Sequence, residues 1–141
     1  MVFNSEQFLP YLLNRAAEHA SRSFQSVYKS RYGMLRTEWR VLFHLGVYEH
    51  LTASQICEMA GLHKTKVSRA VAALQEKRLI TKRIDENDRR FAPLILTAKG
   101  KTVFADLSQM AEKMHHELMA DFTEEEQAIL LKCLHQLRDD K

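Results

Sequence analysis

The sequence predicts one mainly α-helical domain of 141 residues, interrupted by a single β-hairpin. Apolar residues recur at three- and four-residue steps through most of the chain, which is the spacing of amphipathic helices. Only four glycines and two prolines are present, whereas a β-fold with many turns needs more. Two short runs with the pattern of extended strands, residues 79–84 and 91–96, flank a polar turn and predict the hairpin.

The first two helices follow from their apolar spacing and their boundary residues. Pro10 stands in the first turn of the long first helix, where the missing N–H of proline breaks no hydrogen bond. Gly33 is predicted to end that helix, and Thr37 is predicted to cap the second helix.

A short capped helix and a glycine turn come next. Thr52 and Gln55 have the spacing of a capping box, and Gly61 suits the turn that leaves this third helix. A fourth helix, residues 64–77, carries the apolar stripe Val67, Ala70, Val71 and Leu74. A short helix, a turn and a further helix predict a helix-turn-helix, in which the further helix is the recognition helix.

The hairpin and two more helices complete the chain. Pro93 cannot donate to a β-ladder, so its strand is predicted to have a free edge. Thr97 is predicted to cap the fifth helix, and Thr123 with Glu126 forms a capping box for the sixth. The first, fifth and sixth helices carry wider apolar stripes than one small core needs. The predicted fold class is therefore mainly α, a winged helix-turn-helix (helix, helix, short helix, recognition helix, β-hairpin wing, two C-terminal helices) with a helical dimerisation region.

Positive charge is concentrated in one segment. Residues 62–90 contain nine Lys or Arg and four Asp or Glu, a net charge of +5, while the whole chain carries +3. The remainder of the chain therefore has a net charge of −2. A basic segment of this kind is suited to a polyanion such as nucleic acid.

Several classes of protein are disfavoured by what the sequence lacks. No apolar run approaches a membrane span and the first residues do not resemble a signal peptide, so a cytoplasmic protein without a membrane partner is expected. Cys57 and Cys133 are too few for a disulfide framework, which fits a reducing compartment. Because no nucleophile motif, phosphate-binding glycine loop or acid–base carboxylate pair appears, neither an enzyme activity nor a cofactor is expected. The pairs His115–His116 and Cys133–His135 lack zinc spacing, so no metal site is expected.

The outward face of the fourth helix has residue types that suit a DNA groove. Thr65, Lys66, Ser68, Arg69 and Ala72 are predicted to lie opposite the apolar stripe. Arg69 can place two N–H groups on a guanine edge, and the two hydroxyls can reach bases or phosphates. The alternative is an ordinary solvated helix face, but the basic hairpin that follows favours DNA.

The segments "KTKVSRAVAALQEKRLI", "DENDRR" and "LTAKG" together resemble the multiple-antibiotic-resistance repressor (MarR) family of bacterial regulators. The resemblance extends over nearly the whole chain, since the first helix and the last two helices match the dimerisation elements of that family. It implies a homodimer that binds a pseudo-palindromic operator in double-stranded DNA, with dimerisation helices at 5–32 and 97–138 and a DNA-binding lobe at 35–96. It also implies a repressor released by a small aromatic or phenolic acid. The alternatives are a constitutive DNA-binding regulator without an effector and a winged-helix module that binds protein.

The resemblance also assigns roles to particular residues. Arg90 is similar to the arginine at the wing tip of the family, which enters the minor groove, and Asp88 to the aspartate that orients it. His63 stands where the family has a better N-cap, so the recognition helix is expected to be weakly capped. The complete predicted set of DNA-contact residues is Thr37, Thr52, Lys64, Thr65, Lys66, Ser68, Arg69, Arg78, Arg83, Asp88, Arg89 and Arg90.

Three further residues predict a small-molecule site. Arg15 and His19 share one face of the first helix at i, i+4 spacing, and Trp39 lies at the start of the second. A cation, an imidazole and an aromatic ring suit an aromatic carboxylate, which the family binds between the dimerisation helices and the DNA-binding lobe. The alternative is that Arg15 is a surface charge, His19 a structural partner and Trp39 a core residue. Oxidant-sensing relatives have a cysteine near the start of the first helix, and this chain has none there, so redox sensing is not expected.

Overall fold

The computed structural model describes residues 2–84, 86–88 and 92–138, and within them six α-helices and three short strands confirm the predicted fold class. A 3-10 turn (Ser5–Gln7) precedes the first helix. The elements are α1 (Leu9–Tyr32), α2 (Arg36–Tyr48), β1 (His50–Leu51), α3 (Ala53–Ala60), α4 (Lys64–Glu76), β2 (Ile80–Lys82), β3 (Leu94–Leu96), α5 (Ala98–Met119) and α6 (Glu124–Arg138). In the order of the prediction, α4 is the recognition helix and β2 with β3 forms the wing.

The predicted helix boundaries at α1, α3, α5 and α6 are confirmed. Gly33 ends α1 with a left-handed φ of 63°, a conformation that glycine adopts without steric cost. In the capping box of α3, the Thr52 hydroxyl accepts from the Gln55 backbone N–H at 3.2 Å. The side-chain Oε1 of Gln55 accepts from the Thr52 backbone N–H at 2.9 Å. Thr97 caps α5, since its hydroxyl accepts from the Gly100 N–H at 3.0 Å.

Two helix starts differ from their sequence patterns. The prediction that Thr37 caps α2 is wrong, because α2 begins at Arg36 and its first turn instead uses Glu38, whose carboxylate accepts from the Leu35 N–H at 3.2 Å. At α4, His63 does serve as the N-cap, with its Nδ1 accepting from the Thr65 N–H at 3.2 Å. An imidazole nitrogen thus replaces the hydroxyl or carboxylate oxygen that commonly caps a helix.

The sheet has three antiparallel strands in the order β1-β3-β2. The sequence did not predict β1, because two residues are too few to form a recognisable alternating pattern. The prediction of a free edge beside Pro93 is wrong, since β3 is the central strand. Pro93 lies one residue before β3, where it needs no N–H, and its carbonyl accepts from the Arg83 N–H at 2.8 Å.

The core lies where α4 packs against α2, α3 and the sheet. The predicted stripe of α4 is buried, with Val67 and Leu74 at 0% exposure, and it meets Val41, Leu42 and Ile56, each also at 0%. Fully burying one such side chain stabilises the fold by about 1.5–3 kcal/mol. The burial of this stripe leaves the opposite side of α4 facing outwards.

Two glycines allow α5 to approach the rest of the lobe closely. A Cβ on Gly100 would collide with the backbone carbonyl of Leu79, and a Cβ on Gly46 would collide with the ring of Phe104. The start of α5 is therefore joined tightly to the turn between α4 and β2. In contrast, α6 contains no buried residue. Within the described part of the chain, no helix is both long and apolar enough to cross a membrane.

Candidate nucleic-acid interface and ligand cavity

The outward face of α4 carries the predicted DNA-contact residues. Lys64, Thr65, Lys66, Ser68 and Arg69 are all exposed, as is Ala72. Among the described residues, no carboxylate forms an ion pair with Lys64, Lys66 or Arg69. These three cations are therefore available to an external anion, and small side chains between them permit close approach.

The far end of α4 is fixed by one ammonium group. Lys77 Nζ lies 2.7 Å from Glu38 Oε1 and donates to the Gly33 carbonyl at 2.9 Å. Glu38 is only 4% exposed, so removing its partner would leave a buried charge unpaired. The carbonyl of Lys77 in turn accepts from Lys99 Nζ at 3.3 Å. The recognition helix is thereby joined to the end of α1 and to the starts of α2 and α5.

Two threonines from the predicted set lie beside α4 in different settings. Thr37 lines a groove with Lys66 and Arg69, so the structure brings it to the recognition helix although it does not cap α2. Thr52 is half-buried and its hydroxyl already accepts from the Gln55 N–H. It therefore acts first as a cap of α3.

The residues of the wing divide between two faces of the sheet. Lys82 lines a groove of about 360 Å³ with Ser68, Ala72 and Gln75 of α4, whereas Arg83 lines a different cavity between α2 and α5. Successive side chains of a strand point to opposite faces, which explains the separation. The sequence-based set contained Arg83 and missed Lys82, although the period of two along the strand distinguishes them.

Four further wing residues belong to the predicted set, Arg78, Asp88, Arg89 and Arg90. Arg78 is exposed, has a positive φ of 62°, and its carbonyl accepts from the Thr97 hydroxyl at 2.7 Å. Asp88 is exposed at the tip. Arg89 and Arg90 lie outside the described residues, so their predicted contacts stay predictions.

A second candidate site is a cavity of about 390 Å³ between α1, α2 and α5. Its aromatic wall consists of Phe24, Tyr28 and Trp39, and Phe24 and Trp39 have ring centroids 5.3 Å apart. Arg36 and Arg40 of α2 line the same cavity. The structure thus places Trp39 at a ligand-sized cavity and adds two arginines that the sequence-based set missed. The sequence pattern that could have indicated these two arginines is their i, i+4 spacing on either side of Trp39.

The structure does not bring Arg15 and His19 to this cavity. Both are exposed, and the part of α1 that lines the cavity begins one residue later, with Ala20 and Ser21. Consecutive helical residues differ by about 100° in direction, so His19 lies on another side of α1. The cations that line this cavity are therefore Arg36 and Arg40 of α2, and the predicted Arg15 is not among them.

The polar groups of this cavity are partly desolvated. Burial, followed by the nearby charge of Arg36, lowers the pKa of Arg40, whose Nη2 donates to the Ala60 carbonyl at 2.7 Å. Burial raises the pKa of the Tyr28 hydroxyl, an effect that the nearby charge of Arg36 partly offsets. Arg36 is exposed and lies 3.4 Å from Glu18 Oε1. An arginine keeps its charge despite such a shift, so the cavity combines aromatic surface with positive charge.

Within the described residues no group of three or more His, Cys, Asp or Glu side chains is placed to hold a metal ion. The candidate site is instead formed by the basic helix α4 beside the β2–β3 hairpin, and the other helices hold the two elements in place. These features define the class of winged helix-turn-helix DNA-binding proteins.

Comparison with known proteins finds similarity to one family of regulators. A family profile described as MarR family matches residues 32–90. The chain is 29% identical to the uncharacterized HTH-type transcriptional regulator YwaE from Bacillus subtilis, over 91% of this chain and 75% of that protein. A crystal structure of a MarR/EmrR family transcriptional regulator from Acinetobacter sp. ADP1 has 27% identity, a TM-score of 0.88 and 96% coverage of both chains. Residues 32–90 therefore match the MarR family, and the chain as a whole is similar to winged helix-turn-helix DNA-binding transcriptional regulators of that family.

A more distant structure has the same fold. BpsR from Bordetella bronchiseptica, whose DNA binding is regulated by 6-hydroxynicotinic acid, has 17% identity, a TM-score of 0.87 and 100% coverage of both chains. At this identity the likeness concerns the fold.

Proposed function

We propose that this protein is a cytoplasmic repressor that binds a pseudo-palindromic operator as a homodimer and is released by a small aromatic or phenolic acid. The observation that carries DNA binding is the exposed face of α4, where Lys64, Lys66 and Arg69 have no ion-pair partner among the described residues. Cations without a protein partner can neutralise phosphates and release their counterions.

The proposed DNA interface has a centre and two flanks. Thr65, Ser68 and Arg69 would enter the major groove, with Lys64 and Lys66 on phosphates. Thr37 and Lys82 flank the helix on its two sides, because each lines a groove with residues of α4. Arg90 is proposed to enter the minor groove, as the family resemblance implies, and Arg89 is proposed as a further DNA contact.

The proposed dimer rests on the apolar surface of α6. Its side chains Ile129, Leu130, Leu131, Leu134 and Leu137 are exposed, with Ile129 at 53% and Leu137 at 55%. The first half of α1 also exposes Leu9, Tyr11 and Leu12. An apolar surface of this extent on a helix indicates an interface, and a two-fold dimer covers it on both copies.

Binding to DNA is tested by fluorescence anisotropy with a library-selected duplex at several salt concentrations. A dimer should select an inverted repeat with half-sites about 10–10.5 base pairs apart, and its affinity should fall steeply as salt increases. Sedimentation at micromolar concentration measures the dimer independently. A monomer in sedimentation would contradict the proposed dimer. The absence of salt-dependent binding to the duplex would contradict DNA recognition and would favour a protein-binding module.

The proposed effector site is the cavity beside Trp39. Phe24 and Trp39 offer aromatic surface, and Arg36 and Arg40 offer charge to a carboxylate. Occupation of this cavity would favour one arrangement of α1, α2 and α5, and therefore one separation of the two recognition helices. The regulation of BpsR by 6-hydroxynicotinic acid gives support, since that ligand is a small aromatic acid.

Trp39 makes the effector test direct because it is the only tryptophan in the chain. Addition of 6-hydroxynicotinic acid or 4-hydroxybenzoate should change its fluorescence and weaken operator binding. Arg36→Ala should weaken the response about three- to tenfold, the scale of one partly exposed ion pair. Arg15→Ala is the matched control, since Arg15 is a cation of the same region that does not line the cavity. If neither acid perturbs Trp39, a constitutive regulator is the better description.

A further inference from the structure

The molecule contains another cavity of about 400 Å³ that the proposed repressor mechanism does not use. It lies at the base of the wing, between the end of α2, the sheet and the first turns of α5. Its apolar floor is formed by Leu45, Ile95, Leu96 and Phe104. A volume of this size is within the range of small-molecule sites, about 300–1,000 Å³.

The rim of this wing-base cavity is charged. Arg83 comes from the wing and Lys101 from α5, with Glu49 and His50 from the segment between α2 and α3. Neither Arg83 nor Lys101 forms an ion pair with any described residue, and both are exposed. Two cations from different elements, both without a carboxylate partner, thus face one apolar floor.

The position of Arg83 sets it apart from the DNA-contact residues. Its neighbour Lys82 lines the groove beside α4, on the other face of the sheet. The Arg83 N–H donates to the Pro93 carbonyl at 2.8 Å, which fixes the backbone of this residue at the wing base. Arg83 is therefore held where it addresses α5 and not the recognition helix.

We propose that the wing-base cavity is a second ligand site, which binds a small amphipathic carboxylate through Arg83 and Lys101. The apolar part of the ligand would cover Ile95 and Phe104. The carboxylate would lie between the two cations, whose planar guanidinium and mobile ammonium can both donate to it. Glu49 disfavours an anion by its own charge, so it should limit the affinity. This site is separate from the cavity at Trp39, because the two share no lining residue.

The test is a methyl NMR titration of the full chain with 3-phenylpropanoate, and it needs no DNA. The chain has five isoleucines, and with ¹³C-labelled δ1-methyl groups Ile95 reports on the wing-base cavity. The indole N–H of Trp39 reports on the other cavity in the same sample. The expected result is a saturable shift of the Ile95 methyl signal, and a much weaker one with the uncharged 3-phenylpropanamide.

Four variants decide the assignment. Arg83→Ala and Lys101→Ala should each weaken binding, which raises the dissociation constant read from Ile95 about three- to tenfold. Lys82→Ala removes a cation one residue away on the other sheet face and should leave that constant within about twofold. Glu49→Gln should tighten binding about two- to threefold, a change in the opposite direction that general loss of structure cannot produce. An Ile95 signal that does not shift, or that shifts equally in the Arg83→Ala and Lys101→Ala variants, would overturn the proposal.

Discussion

The recognition helix α4 and the last helix α6 are both amphipathic, yet they place their apolar stripes very differently. The stripe of α4 is buried within its own chain, and Leu74 is at 0% exposure. The stripe of α6 remains exposed, and Leu134 is at 39%. In α4 the outward face is polar and basic, while in α6 the outward face is the apolar one.

This difference separates two uses of one sequence pattern. An apolar stripe at helical spacing predicts that this side of the helix is buried, but it does not identify the element or the partner that covers it. For α4 the cover is α2, α3 and the sheet. For α6 the chain itself supplies no cover among the described residues, so the proposed cover is a second copy.

The largest expected effect comes from placing charge on the stripe of α6. The double variant Leu130→Asp/Leu134→Asp would bury carboxylates in the proposed interface, and each isolated polar burial costs several kcal/mol. We expect monomers at micromolar concentration in sedimentation, with far-UV circular dichroism that keeps the helices of the DNA-binding lobe. A dimer that persists unchanged would show that α6 is covered in some other way.

The next largest effect is expected for truncation within the stripe of α4. Leu74→Ala leaves a cavity in the core and should lower the free energy of unfolding by about 2–5 kcal/mol. Leu137→Ala is the matched control on α6, because Leu137 is 55% exposed, and in the dissociated double-variant background it should change the stability of the monomer by less than about 0.5 kcal/mol. Urea denaturation of each chain measures both. Equal losses at the two positions would remove the distinction between the helices.

The outward faces of the two helices can be compared in the same manner. Arg69→Ala should weaken operator binding by about 1–3 kcal/mol per half-site and relax the preference at one base pair. Lys132→Ala removes an exposed cation from α6 and should leave operator affinity unchanged. Anisotropy titrations with single-base operator variants distinguish the outcomes.

Arg90→Ala, by contrast, should weaken binding to all sequences evenly, because the minor groove distinguishes little beyond A·T from G·C.

The smallest expected effect concerns the polar contact that joins the end of α1 to α5. The Tyr32 hydroxyl donates to Asp106 at 2.5 Å and Arg31 Nη1 lies 2.9 Å from the same carboxylate. The Tyr32 hydrogen bond, and then Arg31, lower the pKa of Asp106. A lowered folded-state pKa contributes stability above the unfolded value of about 3.9, and that stability is lost as the pH falls through the folded pKa.

Asp106→Asn should therefore be less stable than the parent chain at about pH 7, and the difference should shrink as the pH falls below the unfolded-state pKa of about 3.9. The Asp106 hydrogen bond also raises the pKa of Tyr32, so its contribution is present below about pH 10 and is lost at higher pH. Urea denaturation at several pH values checks both limits. A difference that persists unchanged at low pH would mean that the ion pair does not contribute through the Asp106 charge.

The sequence predicted the fold well where local chemistry decides it. The apolar stripe of α4, the capping boxes at Thr52 and Thr123 and the glycine end of α1 all depend on neighbours within a few residues. The two-residue strand β1 and the central position of β3 were not predicted, because strand pairing joins residues far apart in the chain.

The candidate sites show the same limit. The exposed face of α4 follows from helical periodicity, and the structure places each predicted residue of that helix on it. Arg83 was grouped with the DNA contacts because it is basic and lies in the wing, but a period of two sends it to the other face from Lys82. Arg15 and His19 share a face of α1, yet which face meets α2 depends on tertiary packing that one helix pattern does not contain.

The contacts of Lys77 have a mechanical consequence. One ammonium group holds the ends of α1 and α4 and the start of α2 together, so this junction acts as a fulcrum and α4 as a lever arm. The 13 residues of α4 span about 20 Å at 1.5 Å per residue. A tilt of about 5° at the fulcrum would therefore move the opposite end, at Lys64, by about 2 Å, close to the H···O distance of a hydrogen bond. A small rotation at this junction would thus be magnified at the end of the helix that carries Thr65 and Lys66.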